Sequence, residues 1–394
     1  MRSRKKIAYI KRGAYSHTNA SVGKILAEQF PEYDLETIDV VDDILRKHKF
    51  VTAINVVLTV LRYGWGIVCR HREFRDYFYR TAFIFHSIKR LVAKKLEPRA
   101  EEFAFSFQTQ SLYDARISGV PHFVYTDHTH LANLYYPGFS RRWLCSPRWI
   151  ELEKTIYEDA TKLFVMSRQV ARSITEHYAC RSAKVACVYA GYNFDLKPLP
   201  LRNEGYTNRQ ILFVGVDWER KGGPELVAAF QIVQKTIPDA RLVIVGVSPQ
   251  IDVPNCEVIG RVPLEKMQEH FIASSVFCMP SKVEPLGIAC IEAFMNKIPV
   301  VATRINALAD MVEDDKSGYL VEPGDVAGLA AALTGLLSNP EKCRRFGEHG
   351  YNAMQDRYSW EAVGRKIRSE IIAALPQSRP SSSSAAVTAS TNYQ

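Results

Sequence analysis

No stretch of this chain restricts its fold more than Val276 to Thr303. The apolar run Val276–Met279 reads as a short buried strand. Pro280 and Pro285 forbid a helix through the loop that follows, because proline lacks an N–H and its ring clashes with the preceding turn. Gly287 then opens an apolar helix that runs to about Asn296, and Pro299–Ala302 is the next strand. Strand, tight loop, helix and parallel strand make one βαβ unit, whose ligands bind at the carboxyl ends of the strands beside the helix N-terminus. The chain is therefore expected to be an α/β protein.

That geometry gives the loop a chemistry. The N–H groups of Leu286, Gly287 and Ile288 would point out at the positive end of the helix, where a diphosphate is favoured, and Gly287 lets it approach closely. Glu284 and Glu292, eight positions apart, would flank the phosphates and accept hydrogen bonds from a sugar and a ribose. In isolation, two carboxylates at this spacing also fit solvated loop and helix charges, so their surroundings decide. Upstream, the apolar strand Ile211–Gly215 ends in a loop from Asp217 to Gly223, and Pro224 takes the favoured first position of a helix. Arg220 and Lys221 thus project beside strand ends, where cations neutralise a departing diphosphate. Leu242–Gly246 and Val258–Gly260 are further parallel strands, and Arg261 would lie near a nucleotide base.

The first half shows the same alternation. Ile7–Ile10 is a strand, Gly13 lies in its loop, and Ser16 to Asn19 would cap a helix reaching about Phe30. Leu35–Val40 and Phe103–Phe107 are strands; Gln110 lies in the loop after the second, before an expected helix over Leu112–Ser118. Val120–Thr126 is another strand and ends in Asp127-His-Thr-His130. Two histidines at the carboxyl edge of a parallel sheet fall where a cleft should be. A metal site is not expected there, because Asp127 is the only nearby carboxylate and no third ligand is evident.

The loop Glu284-Pro-Leu-Gly-Ile288 followed by Glu292 resembles the E-x7-E signature of the retaining glycosyltransferases of family 4, the glycosyl transferases group 1. The clear part of the resemblance runs from Ile211 to Ile371. It implies a GT-B fold, two Rossmann-like doubly wound parallel-sheet domains facing a cleft, and transfer of a hexose from a nucleotide-diphosphate sugar. By resemblance, Glu284 contacts the donor sugar, Glu292 holds the ribose, and a strand-end histidine reaches the reaction centre: His128 by its distance from the strand, with His130 in reserve. The family's glycine-rich first loop lines the acceptor side, and here only Gly13 is present. An arginine commonly follows the glycine of the first strand of the second domain, with a lysine five residues later. Val216 stands at the first place, Lys221 keeps the second, and Arg220 is the candidate substitute. Where the family has a glycine pair after Thr303, this chain has Arg304-Ile-Asn306.

The resemblance and the turns together predict a first domain over 1–195, a nucleotide-sugar domain over 196–355, a helix over 356–375 returning to the first domain, and a disordered tail over 376–394 rich in serine, alanine and threonine. The polar segment Asp195–Arg209 is the expected linker. Charge is uneven: residues 1–200 carry 31 lysines and arginines against 20 acids, while the remainder is slightly acidic. No nucleic-acid-binding module accompanies that excess, and an anionic membrane surface or a lipid-linked acceptor suits it better. A polysaccharide or small glycoside is the other acceptor class. Phe50–Val68 is apolar for about the length of a membrane span, but Asn55, Arg62, Gly64 and Gly66 favour a buried or amphipathic helix. Arg70–Leu96 mixes basic and aromatic residues, which suits an interfacial face or ordinary helix packing.

Eight cysteines without a C-x-x-C pair predict a reduced, cytoplasmic chain, for which the basic first half suits a place at the inner face of the membrane, and the apolar run after the basic N-terminus is too short for a signal peptide. No cofactor or metal is expected, since there is no D-x-D sequence to clamp a metal diphosphate. Two other classes remain open on these residues: a non-catalytic nucleotide-sugar-binding protein on the same scaffold, and a nucleotide-sugar epimerase, since fold alone does not fix function.

Overall fold

The computed structural model describes residues 4–15, 17–69, 73–193 and 205–375. Ser16, most of the expected linker and the 376–394 tail lie outside them. The first half forms β1 (Lys6–Lys11), α1 (Thr18–Gln29), β2 (Asp34–Asp39), α2 (Lys49–Val68), α3 (Phe74–Phe78), α4 (Ala82–Leu96), β3 (Phe103–Thr109), β4 (His122–Thr126), α5 (Pro147–Asp159), β5 (Lys162–Val165), α6 (Arg168–Glu176) and β6 (Val185–Cys187). The second half forms β7 (Gln210–Val214), α7 (Gly223–Thr236), β8 (Arg241–Val245), β9 (Cys256–Gly260), α8 (Leu264–Ala273), β10 (Val276–Met279), α9 (Ile288–Met295), β11 (Val300–Thr303), α10 (Asn306–Met311), β12 (Gly318–Val321), α11 (Val326–Leu337), α12 (Pro340–Gln355) and α13 (Trp360–Ala374).

These strands build two six-stranded parallel sheets, ordered β2-β1-β3-β4-β5-β6 and β12-β11-β10-β7-β8-β9. β10 is buried along its whole length, which is why it reads as an uninterrupted apolar run rather than an alternating one. In each sheet the strand order reverses once, between β1 and β3 and between β7 and β10. A crevice opens at such a reversal, because the connections on its two sides run to opposite faces. The loops after β7 and β10 therefore meet at one point.

The last helix ties the two halves together. The indole N–H of Trp360 donates to the Tyr192 carbonyl at 2.7 Å, Lys162 and Glu370 form an ion pair at 2.5 Å, and Arg368 pairs with Glu32 at 2.9 Å. Gly191 is required at that crossing: a Cβ there would fall 2.6 Å from the Trp360 ring.

Two elements differ from expectation. Residues 112–118 form no helix, because the buried Gln108 amide donates to the carbonyls of Gln110 and Tyr113 and accepts from the Ala115 N–H, holding the segment as a loop. Helix α2 is amphipathic in the inverted sense. It buries Asn55 and Thr59 and leaves Phe50, Leu61, Trp65 and Val68 more than three-quarters exposed.

Ile367, buried in α13, tests the clasp. Ile367→Ala is expected to cost about 2–5 kcal/mol, seen as a lower urea midpoint; an unchanged midpoint would mean the helix contributes nothing to the fold.

Candidate functional site

Gly287 sits at the N-cap of α9 with φ +84°, and a Cβ there would fall 2.5 Å from a Leu308 methyl. Only glycine turns the chain there and leaves the helix end open. Glu284, three residues earlier, is buried. Its Oε1 accepts from the Gly287 N–H at 3.0 Å, and its Oε2 lies 2.5 Å from Lys221 Nζ and 3.6 Å from Arg220 Nη1. Burial pushes this carboxyl up, but Lys221, Arg220 and the Gly287 N–H outweigh it and hold its pKa below the ordinary value. Glu284 is thus a buried carboxylate kept ionised by two cations from the β7 loop. Arg220 also donates to the Val283 carbonyl at 2.7 Å, so the β7 and β10 loops are laced together. Gly222 permits that approach: a Cβ there would meet the Pro280 carbonyl oxygen at 2.0 Å.

Glu292 lies on α9 and is also buried, but its environment is different. Among the described residues its Oε1 accepts one long bond, 3.3 Å, from the Asn193 N–H. Burial therefore dominates, and with only partial offset from Asn193 and Lys221 the carboxyl is pushed up to about 8. Near neutrality Glu292 is a protonated acid and Glu284 an anion. The neighbouring Asn193 Oδ1 is buried without a hydrogen-bond partner among the described residues.

These groups share a cavity of about 890 Å³ with Arg261 from beyond β9 and, on the opposite wall, Tyr15, Asp127, His128 and Asn133. His128 follows β4, and its carbonyl accepts from the Thr126 hydroxyl at 2.9 Å. Asp127 is half-buried, and its removal from water raises its carboxyl; the phenol of Tyr136 is raised by burial and then by the charges of Glu284 and Asp127. The two walls are therefore in electrostatic contact across the gap. The Arg168 N–H also donates to Asp310 at 2.9 Å, joining α6 to α10.

Of the residues singled out in the sequence, His128, Arg220, Lys221, Arg261, Glu284, Leu286, Gly287, Ile288 and Glu292 all line this cavity. Three do not. His130 is buried with its Nε2 accepting from the Cys145 N–H at 2.7 Å, so it holds its own loop. Gln110 accepts from Arg12 Nε at 2.9 Å, and Gly13 donates its N–H to Asp39. The Gly287 N–H, expected to face a ligand, is taken by Glu284, and the Cys290 N–H donates to the Gly287 carbonyl at 2.9 Å; a ligand is left the N–H groups of Ile288 and Ala289 at the start of the helix. The sequence weighs Asp127 only as a metal ligand and gives no role to Asn193; Asp127 directly follows β4, the position that points to His128, whereas Asn193 lies six residues past β6.

Two doubly wound sheets facing a cleft, with the β7 and β10 loops at a shared reversal point, define a GT-B protein. The solved structure of Anabaena Alr3699/HepE with UDP-glucose superposes with a TM-score of 0.65 at 14% identity, covering 93% of this chain and 99% of that one. Residues 202–353 match the model of the glycosyl transferases group 1 family. The chain is 25% identical over 275 residues to sulfoquinovosyl transferase SQD2 of Arabidopsis thaliana, covering 65% of this chain and 52% of the relative. It is 30% identical over 166 residues to a GDP-mannose-dependent phosphatidylinositol monomannoside mannosyltransferase of Mycolicibacterium smegmatis, covering 38% and 44%. The chain thus spans about half the length of these curated relatives.

The protonation of Glu292 has a consequence for stability. Between the ordinary carboxylate range and about 8, the unfolded chain ionises this group and the folded chain does not. The folded state then holds the extra proton, so stability falls as pH rises through that window, by up to about 1.4 kcal/mol per pH unit, and levels off above it. Glu292→Gln removes the group. From pH 5.5 to 8 the wild-type melting temperature is expected to drop relative to that of the variant; parallel curves would contradict the assignment.

Proposed function

We propose that this protein is a retaining, metal-independent glycosyltransferase that moves a hexose from a nucleotide-diphosphate sugar to an acceptor hydroxyl. The observation that carries this reading is the Lys221–Glu284 pair beside the open N-terminus of α9. A diphosphate resting there meets Lys221, Arg220 and the first-turn N–H groups, all fixed before the ligand arrives, which is the condition for stabilising charge that develops on a leaving group. Bond breaking gives the diphosphate both electrons, and no protein nucleophile is required. Glu284, ionised, accepts from donor sugar hydroxyls. Glu292 and Asn193 face the ribose, and Arg261 lies toward the base.

The first half holds the acceptor, with His128 nearest the transferred sugar. UDP and GDP are both candidates for the donor nucleotide: UDP-glucose occupies the Anabaena structure, and the mycobacterial relative is named for GDP-mannose. Val216, 71% exposed on the cavity wall, leaves the second cation to Arg220.

A thermal-shift screen of the purified chain against UDP-, GDP- and ADP-hexoses identifies the donor, since a ligand bound only by the folded state raises the melting temperature. Transfer is then expected to persist in EDTA, and Lys221→Ala or Glu284→Ala to lower it by about 10²–10³-fold, the range seen when a preorganised charge-stabilising group is removed. A requirement for manganese would overturn the mechanism. Donor conversion without any acceptor would indicate an epimerase, and donor binding without turnover a non-catalytic binding protein.

A further inference from the structure

The surface of α2 runs against the logic of a soluble helix. An amphipathic helix packs its apolar stripe inward, whereas the buried positions here are polar. Asn55 Nδ2 donates to the Phe78 carbonyl at 2.8 Å, the Thr81 hydroxyl donates to Asn55 Oδ1, and the Thr59 hydroxyl donates to the Asn55 carbonyl at 2.7 Å. Outward, Phe50, Ile54, Val57, Leu61 and Val68 follow one another along a single helical stripe, with exposures from 48% to 86%, and Trp65 adds 80% on its flank. At 1.5 Å per residue the stripe is about 27 Å long. A contiguous apolar patch of that extent marks an interaction surface.

We propose that this stripe is the docking face for an anionic lipid bilayer, with α2 lying in the plane of the membrane interface. The opposite face of the helix excludes a membrane-spanning arrangement. The Tyr63 hydroxyl donates to the Arg80 carbonyl at 2.8 Å, Tyr63 stacks on Tyr77 at 4.7 Å, and a Cβ on Gly66 would fall 2.6 Å from the Tyr77 hydroxyl oxygen. A helix sewn to its domain along one side through polar groups has only its other side to give to lipid.

Charge selects the occupant. Lys49–Val68 contains no acidic residue, and residues 46–96 hold 12 lysines and arginines against only Glu73 and Asp76. Arg46 and Lys47 pair with Asp42 and Asp43, but the exposed Lys49, Arg62, Arg90, Lys94 and Lys95 make no salt bridge among the described residues. A second copy of the chain would set these cations against themselves, whereas anionic headgroups complement them. Trp65 has the amphipathic ring that favours the headgroup boundary.

The placement also bears on the acceptor. Helix α3 packs on α2, and its Asp76 lines the cavity, so a membrane seated on α2 lies beside the cleft. This part rests on the proposed transferase reading and deepens it: the acceptor hydroxyl belongs to a membrane lipid.

The test is flotation of the full chain, without donor, with phosphatidylcholine vesicles that either contain or lack phosphatidylglycerol. Binding is expected with the anionic vesicles, weakening with salt, with a blue shift of tryptophan emission that Trp65→Phe removes. The double variant Val57→Glu/Leu61→Glu is expected to keep its melting temperature and lose at least tenfold in binding. Lys94→Glu/Lys95→Glu, which leaves the apolar stripe intact, is expected to weaken binding to anionic vesicles. Wild-type protein that stays in solution, or binds no better than the Val57→Glu/Leu61→Glu variant, would overturn the proposal. So would a wild-type dimer that the same variant converts to monomer, since a second copy would then cover the stripe. Vesicle binding is read independently of turnover, so failure of the transferase reading leaves this result standing, and the reverse also holds.

Discussion

A carboxylate removed from water must be met by positive charge or it takes up a proton, and Glu284 is the place where this chain meets that demand. Its ionisation depends on Lys221 and Arg220, which belong to a different strand's loop. Bringing that loop within reach requires β7 and β10 to be neighbours, which the reversal of strand order provides, and requires glycine at 222 and 287, where any side chain would strike Pro280 or Leu308. Losing one partner of such a buried pair typically costs about 3–5 kcal/mol, because the other charge is left unmatched. The pair therefore sets the loop geometry, and the loop geometry leaves the α9 terminus open.

The same helix carries a second carboxyl in the opposite state. Glu292 forms no salt bridge among the described residues, and burial keeps it protonated near neutrality. Two glutamates eight positions apart are thus an acceptor and a donor of hydrogen bonds before any ligand arrives. A polyhydroxylated ligand needs both, and one short helix with its preceding loop supplies them.

Much of this was legible in the sequence, and what was not has a physical reason. Prolines at 280 and 285, the glycine at 287 and the unbroken apolar runs on either side are local signals, so α9 and its loop are readable from the residues alone. The cationic loop was readable for the same reason, since Pro224 marks where its helix begins. His130 and Gln110 misled because a strand-end position says that a side chain is near a crevice, not which way it turns; a neighbouring N–H and Arg12 claimed them. Asn193 and Glu292 meet only through tertiary contact, 99 positions apart, and no spacing announces that. Helix α2 was ambiguous because periodicity shows that a helix has two faces without saying which one the domain takes. Two hydrogen bonds of the Asn55 side chain, one to the Phe78 carbonyl and one from the Thr81 hydroxyl, hold the polar face against the domain.

The central claim is that a nucleoside diphosphate rests against the first turn of α9 between these two glutamates. A crystal structure of the protein with UDP, or with the nucleotide that a thermal screen selects, tests it most directly. The account predicts the terminal phosphate within hydrogen-bond distance of Lys221 Nζ and the Ile288 N–H, with the ribose hydroxyls on Glu292. A nucleotide bound outside this gap, or a phosphate that touches neither Lys221 nor the helix end, would contradict it.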